Sequence, residues 1–387
     1  MRMKHVSYLS EENSAPPQSG KTRKTLFFSD VQSALEAAAP EGSTVIAVGF
    51  DNADKLLRLG YRTVERDGDV VIARGGESEF LRARNVADGA KLIFIPTHGF
   101  AAAATNAYRA NDDIFAVMRI GDAPFAAVFD PSELDGNLAS IFGEIISLDL
   151  CAFDLAFSCR MRGENPDYDT LERVAALVES TTAKLSGVCK AREQASKILA
   201  EAGKAAAEIV ADSPSLLHFS GAAQMAEALR MLYLAEDRAT HKRGETEMLL
   251  SAYVADFYIK NLSGEPLSFP PDNGKRIDSI CEYFNADIRR ACVYTTPVYP
   301  PIKMRLCEYR RDEFRLEQTK LLSQVRRRQN NAWTVFKRLY PDDGYAIRNL
   351  IDKPDLGICL ALAPDVFNAD TLLSFLKQTG KLDSYIV

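Results

Sequence analysis

The stretch GDVVIARGGESEFLRARNVADGAKLIFIPTHG, Gly68 to Gly99, sets two apolar strand patterns on either side of a glycine pair. A glycine turn after a strand lets backbone N–H groups approach a phosphate, and the following helix presents its N-terminus to the charge. Gly75 and Gly76 meet the first need, and Ser78 adds a hydroxyl donor. Glu77 stands where a third glycine would extend the turn. A carboxylate beside a diphosphate repels it in a low-dielectric cleft. Either Glu77 points out to water or it pairs with Arg74 or Arg82. Two glycines alone are equally the mark of a plain turn.

Other residues add candidate chemistry. Asp51 closes VGFD, just past the strand pattern Thr44–Gly49. A carboxylate there holds ribose hydroxyls in nucleotide-binding folds, and an aspartate there also caps a following helix; the two roles are compatible. The histidines are His5, His98, His218 and His241. Asp149 lies in the otherwise apolar stretch Ile145–Phe157, where a charge needs compensation. Aspartate and histidine together suit zinc or iron. Asp149 and His241 (in ATHKRGE) are the candidate ligands, with His218 or Gln224 for the third position, although glutamine is a poor zinc ligand. The competing reading is a buried aspartate satisfied by the protein and a surface histidine. There is no G-x-S-x-G elbow, Walker loop or Cys-His signature, which disfavours nucleophilic hydrolysis.

The elements that would position these residues change character along the chain. Thr44–Gly49, Tyr61–Val64, Val70–Ala73, Leu92–Ile95, Ile114–Arg119 and Ala126–Asp130 read as strands, with Asp51–Leu59 helical, and this alternation predicts a mainly parallel sheet. From Gly143 to about Ile259 the pattern is helical. Apolar residues spaced by three and four predict one helix over Ala183–Asp212, about eight turns long, ended by Ser213-Pro214. Further helices are expected over Ala222–Tyr233 and Glu245–Ile259, then a Pro-rich connection over Leu267–Asp272. The expected organisation is a polar tail over 1–25, a Rossmann-like α/β domain over 26–142 and an α-helical domain over 143–387. Lys303–Arg338 holds eleven basic residues against four acidic ones. A solvated helix face explains that more often than an anion site does. The lone Trp333 reads as a core or interface anchor.

Bulk properties narrow the function. A chain of 387 residues suits two domains. A net charge of −6 argues against a general nucleic-acid binder. No apolar run is long enough to span a membrane, and the N-terminus has no signal-peptide core. Seven scattered cysteines without a CxxC pair fit a reducing cytoplasm.

The order of segments TVIAVGFD, VVIARGGES, LIFIPTHG, AAVFDPSEL, GEIISLDLCAFD, SGAAQMAEAL and ATHKRGE resembles the superfamily of 3-dehydroquinate synthase, glycerol-1-phosphate dehydrogenase and the iron-containing alcohol dehydrogenases. The resemblance implies NAD(H) or NADP(H) between the two domains, with Asp51, Gly75, Gly76, Ser78 and Thr97 on nucleotide-binding positions. It places Asp149 on the first metal position, Gln224 on the middle one, where the family has histidine, and His241 on the last, for Zn2+ or Fe2+. The Asp and Lys usual on the helix after the loop appear as Leu81 and Arg84. The implied activity is hydride transfer to or from a small polyol or polyol phosphate, or a related cyclase reaction, in a cytoplasmic protein, and a homodimer is expected by analogy. The alternative is a non-catalytic or repurposed member whose degenerate cofactor and metal sites serve binding or scaffolding.

Overall fold

The computed structural model describes residues 24–51, 54–87, 89–100, 107–112, 115–120, 123–134, 136–161, 165–213, 216, 242, 244–248, 251 and 311–340. The side chains of residues 77, 78, 81, 107–112, 115–120, 157–161, 311–316 and 318 fall outside that description. So do the helix expected over Ala222–Tyr233, the connection at Leu267–Asp272 and most of Glu245–Ile259, of which residues 245–248 and 251 are described and helical.

The sheet strands are β1 (Leu26–Phe28), β2 (Thr44–Val48), β3 (Arg62–Thr63), β4 (Val70–Gly75), β5 (Lys91–Pro96) and β8 (Ala126–Val128). They pair in the order β1-β8-β5-β4-β2-β3, every pair parallel. β4 and β5 read as unbroken apolar runs because both faces of a parallel sheet are covered; Val70–Ala73 and Leu92–Ile95 are all buried. One face packs on α1 (Val31–Ala38) and α2 (Asp54–Arg58), through Leu35, Leu56, Val45, Ile72 and Ile93. Asp30 caps α1, its carboxylate accepting from the Ser33 N–H at 2.8 Å. Phe80, on α3 (Glu77–Val86), meets Phe94 edge-on, with ring centroids 5.0 Å apart.

The strand expected over Ile114–Arg119 forms as β7 (Phe115–Ile120) but lies outside the parallel sheet. It pairs antiparallel with β6 (Ala107–Asp112). Only residues 113 and 114 connect the two, whereas a parallel pairing needs a crossover of a dozen or more residues.

The helical part begins with α4 (Leu138–Met161). From Leu138 to Asp154 nearly every side chain is buried, as in a helix surrounded by other elements. Against it pack α5 (Tyr168–Ser186), α6 (Arg192–Asp212) and α7 (Arg311–Leu339). The single helix expected over Ala183–Asp212 is instead two. After Ser186 the N–H groups reach only three residues back, Val188 to Leu185 at 3.0 Å and Ala191 to Val188 at 2.8 Å. The chain turns there and α6 packs against α5, so the apolar stripe read across the break belongs to two helices. Ala191, within the expected helix, is exposed. No helix among the described residues is long and apolar enough to cross a membrane.

α4 meets the helical stretch 244–248 main chain to main chain. A Cβ on Gly143 would land on the Gly244 carbonyl oxygen, and one on Gly244 would land on the Ser140 carbonyl oxygen and lie 2.9 Å from the Glu144 nitrogen. Gly143→Ala should therefore force the helices apart and cost on the order of 1–3 kcal/mol, as overpacked cores do. A thermal melt checks this, and an unchanged midpoint would show that the two backbones do not touch.

Candidate functional site

After β2 the chain runs out to β3 and then returns to β4 on the other side of β2. In open parallel sheets such a reversal leaves a crevice at the carboxyl ends of the strands, where ligands bind. Here those ends carry Gly49 to Asp51 after β2, Gly75 and Gly76 after β4, and Thr97 and His98 after β5. Four of the sequence-predicted residues, Asp51, Gly75, Gly76 and Thr97, thus share one edge.

The glycines there are sterically required. Gly49 has φ +78, and a Cβ on it would fall onto the Arg74 carbonyl oxygen. Gly75 has φ +145, a backbone conformation closed to ordinary residues. A Cβ on Gly76 would lie 2.6 Å from Cε1 of the His98 ring. The Thr97 N–H donates to the Gly75 carbonyl at 3.0 Å, and its hydroxyl and the Nδ1 of His98 are 2.8 Å apart. Asp51 is exposed and lies three residues before the first residue of α2.

Glu77 and Ser78 begin α3, their side chains outside the described residues. The carboxylate that enters the cradle is that of Glu79. Its Oε2 accepts from the Gly76 N–H at 2.9 Å, the helix-capping arrangement of a glutamate in the third position. A Cβ on Gly75 would be 2.5 Å from Glu79 Cγ, and one on Gly49 would be 2.8 Å from the same atom. Nothing in the sequence pattern distinguished Glu79 from its neighbours except its place three residues after Gly76.

Cations near this edge are already paired. Arg74, at the end of β4, bonds to Glu133, as does Lys55 at 2.9 Å. Glu133 lies in the 3-10 turn Pro131–Glu133. Burial by itself would raise the Glu133 carboxyl, but Arg74 and Lys55 outweigh it and hold the group below its ordinary range. Burial likewise works against the Lys55 ammonium, and Glu133 and Asp130 overcome it and raise its pKa.

Glu144 faces this edge from α4. It is 5% exposed, its Oε2 accepts from the Phe100 N–H at 2.8 Å, and its carboxylate carbon would be 3.0 Å from a Cβ on Gly99. One turn earlier, the Ser140 hydroxyl donates to the His98 carbonyl at 2.6 Å. One turn later, the Ser147 hydroxyl donates to the buried Glu247 at 2.7 Å. Sequence reasoning passed over Glu144, which immediately precedes the stretch Ile145–Phe157, for Asp149 within it.

Asp149 is five residues further on, about 140° around the helix, and faces α7. Its two oxygens accept from Arg328 Nε at 2.7 Å and Nη2 at 2.8 Å. The side chains are 3% and 10% exposed. Burial pushes the Asp149 carboxyl up, opposed by the Arg328 fork. Gln224, His218 and His241 lie outside the described residues. Among the described residues no group of three or more His, Cys, Asp or Glu is arranged to hold a metal ion. Of the candidate metal ligands only Asp149 is among the described residues, and both its oxygens are engaged by Arg328. The basic segment is likewise divided: Arg326 and Arg327 are exposed, Arg327 donating to Glu179 at 3.0 Å, while Arg328 is drawn inside. Trp333 is half-buried and stacks on Phe336, with centroids 5.7 Å apart.

A parallel six-stranded sheet feeding a buried helix defines the class: an α/β part followed by one whose described elements are all helices. No family model matches the chain, and no curated protein matches it in sequence. Solved structures do. It is similar to maleylacetate reductase from Rhizobium sp. strain MTP-10005, with a TM-score of 0.57 at 13% identity over 92% of this chain and 96% of that one. It is similar to an archaeal halo-thermophilic Red Sea brine pool alcohol dehydrogenase, with a TM-score of 0.55 at 13% identity over 98% and 100%. Maleylacetate reductase from Agrobacterium tumefaciens gives 0.55 at 12% identity over 94% and 98%. At these identities the likeness shows the fold, which the chain shares with these maleylacetate reductases and this alcohol dehydrogenase.

The Asp149–Arg328 pair makes a specific demand on stability. Asp149→Asn or Arg328→Ala alone leaves a buried charge uncompensated, costing about 3–5 kcal/mol, whereas replacing both with apolar residues of similar size recovers most of it. Denaturant unfolding of the singles and the Asp149→Leu/Arg328→Met double variant measures this. Strict additivity of the two single losses would mean that the residues do not interact.

Proposed function

We propose that the chain is an oxidoreductase that binds a nicotinamide dinucleotide along the carboxyl edge of its sheet and acts on a small hydroxyl or carbonyl compound, such as a polyol or polyol phosphate. The observation that carries this is the cradle at the strand reversal: Gly49 against the Arg74 carbonyl, Gly75 at φ +145, and the α3 N-terminus beyond them. That backbone fits a diphosphate. Asp51, at the end of β2, is placed to accept from ribose hydroxyls. Thr97 and His98 close the edge at β5, and Glu144 lines it from the helical side. The relatives in fold, named as reductases and alcohol dehydrogenases, support the same class of chemistry.

The dinucleotide, when bound, supplies the hydride acceptor or donor. The chain's part is to orient it, bind its sugar and phosphates, and cover the reacting face with the helical domain. A divalent metal belongs to the expectation from sequence. Of its candidate ligands only Asp149 is among the described residues, paired with Arg328, and this reading routes no step through a metal. The second reading, a binding or scaffolding protein, is favoured by one observation: the Glu79 carboxylate sits in the cradle.

Asp51→Ala should weaken binding of NADH or NADPH about tenfold or more, the loss expected for hydrogen bonds to a charged acceptor. Calorimetric titration of both nucleotides against the intact chain reads this out. A variant that binds as the unaltered chain does would remove Asp51 from the site and leave its neighbours to be tested.

A further inference from the structure

We infer that Glu79 is an intramolecular gate on the diphosphate site, a side chain of the protein that holds the place of the nucleotide's charge until it is displaced. The inference rests on the dinucleotide reading above and deepens it.

Three positions around the cradle converge on this one side chain. The Gly76 N–H, which a phosphate oxygen would need, already donates to Glu79 Oε2 at 2.9 Å. The space above Gly75 that a phosphate would enter holds the Glu79 carboxylate, with Oε2 at 2.5 Å from a built Cβ. The space above Gly49 holds Glu79 Cγ at 2.8 Å. These glycines come from the ends of two adjacent strands, β2 and β4. The carboxylate therefore lies in the crevice between them rather than along the outer side of α3.

Charge reinforces the block. A diphosphate brought into contact with a carboxylate in a low-dielectric crevice is repelled. The cations that would relieve this, Arg74 and Lys55, are committed to Glu133. The cradle's backbone therefore fits a diphosphate while its side chain does not, and binding requires Glu79 to rotate out toward solvent. Glu79 is half-buried, on the first turn of α3, so the movement involves side-chain torsions only. The conformer that binds is a fraction of the whole, and apparent affinity falls by that fraction.

Titration of NADH against the intact chain and its Glu79→Gln and Glu79→Ala variants tests this, with nicotinamide riboside, which carries no phosphate, as a second probe. The gate predicts NADH affinity at least tenfold higher for Glu79→Ala, a smaller gain for Glu79→Gln, which keeps the cap on Gly76 but loses the charge, and riboside affinity unchanged in both. Circular dichroism confirms that the variants are folded. Measurable NADH binding by the unaltered chain that neither substitution strengthens overturns the gate and leaves the dinucleotide reading intact. An equal gain for the riboside overturns it also, since the effect would not act on phosphate. No NADH binding by any of the three overturns gate and dinucleotide reading together.

Discussion

Close approach of backbone to backbone governs this molecule. At the carboxyl edge of the sheet, Gly49 lies so near the Arg74 carbonyl that only a hydrogen fits at its α-carbon. That contact closes β2 onto β4 where their chains diverge, and sets the width of the crevice. Further along the chain the same device recurs, Gly143 on α4 meeting Gly244. α4 is consequently both the wall of the crevice, through Ser140 and Glu144, and the axis around which α5, α6 and α7 pack. Shifting either contact would move the wall relative to the edge.

Around this frame, several acids wholly or partly removed from water have partners within the chain. Glu144 takes the Phe100 N–H, Glu247 the Ser147 hydroxyl, Glu133 the side chains of Arg74 and Lys55, Asp149 the fork of Arg328, and Glu79 the Gly76 N–H. A charged group removed from water demands this. It also has a functional consequence. Among the described residues, the acids around the crevice are largely satisfied by donors within the chain. Binding at the crevice is thus an exchange of partners rather than the filling of an open site, and exchange is selective because the incoming group must outcompete the internal one.

The strands of the sheet were legible because burial on both faces leaves an unbroken apolar run, as in Val70–Ala73 and Leu92–Ile95. β1 was missed: it is three residues long, with Leu26 exposed, so it carries no such run. The break after Ser186 was missed because apolar spacing continues across it. Periodicity reports which residues are covered, not whether one helix or two covers them. Of the site, the glycine turn and the carboxylates at strand ends could be read, since the backbone geometry they serve follows from the strands themselves.

What the sequence by itself determined is therefore the parallel α/β beginning, the change to helices, and the edge bearing Asp51, Gly75, Gly76 and Thr97. These follow from local pattern and from the fixed direction of a parallel strand. What only the tertiary structure decided is which charge meets which partner. Glu77 drew attention by standing in a glycine's place, yet it is Glu79, two positions further along α3, that reaches back over the cradle. Asp149 looked available for a ligand until α7, far along the chain, brought Arg328 to it. Such pairings depend on helix rotation and on contacts across more than a hundred residues, and neither is encoded in the identity of the residue alone.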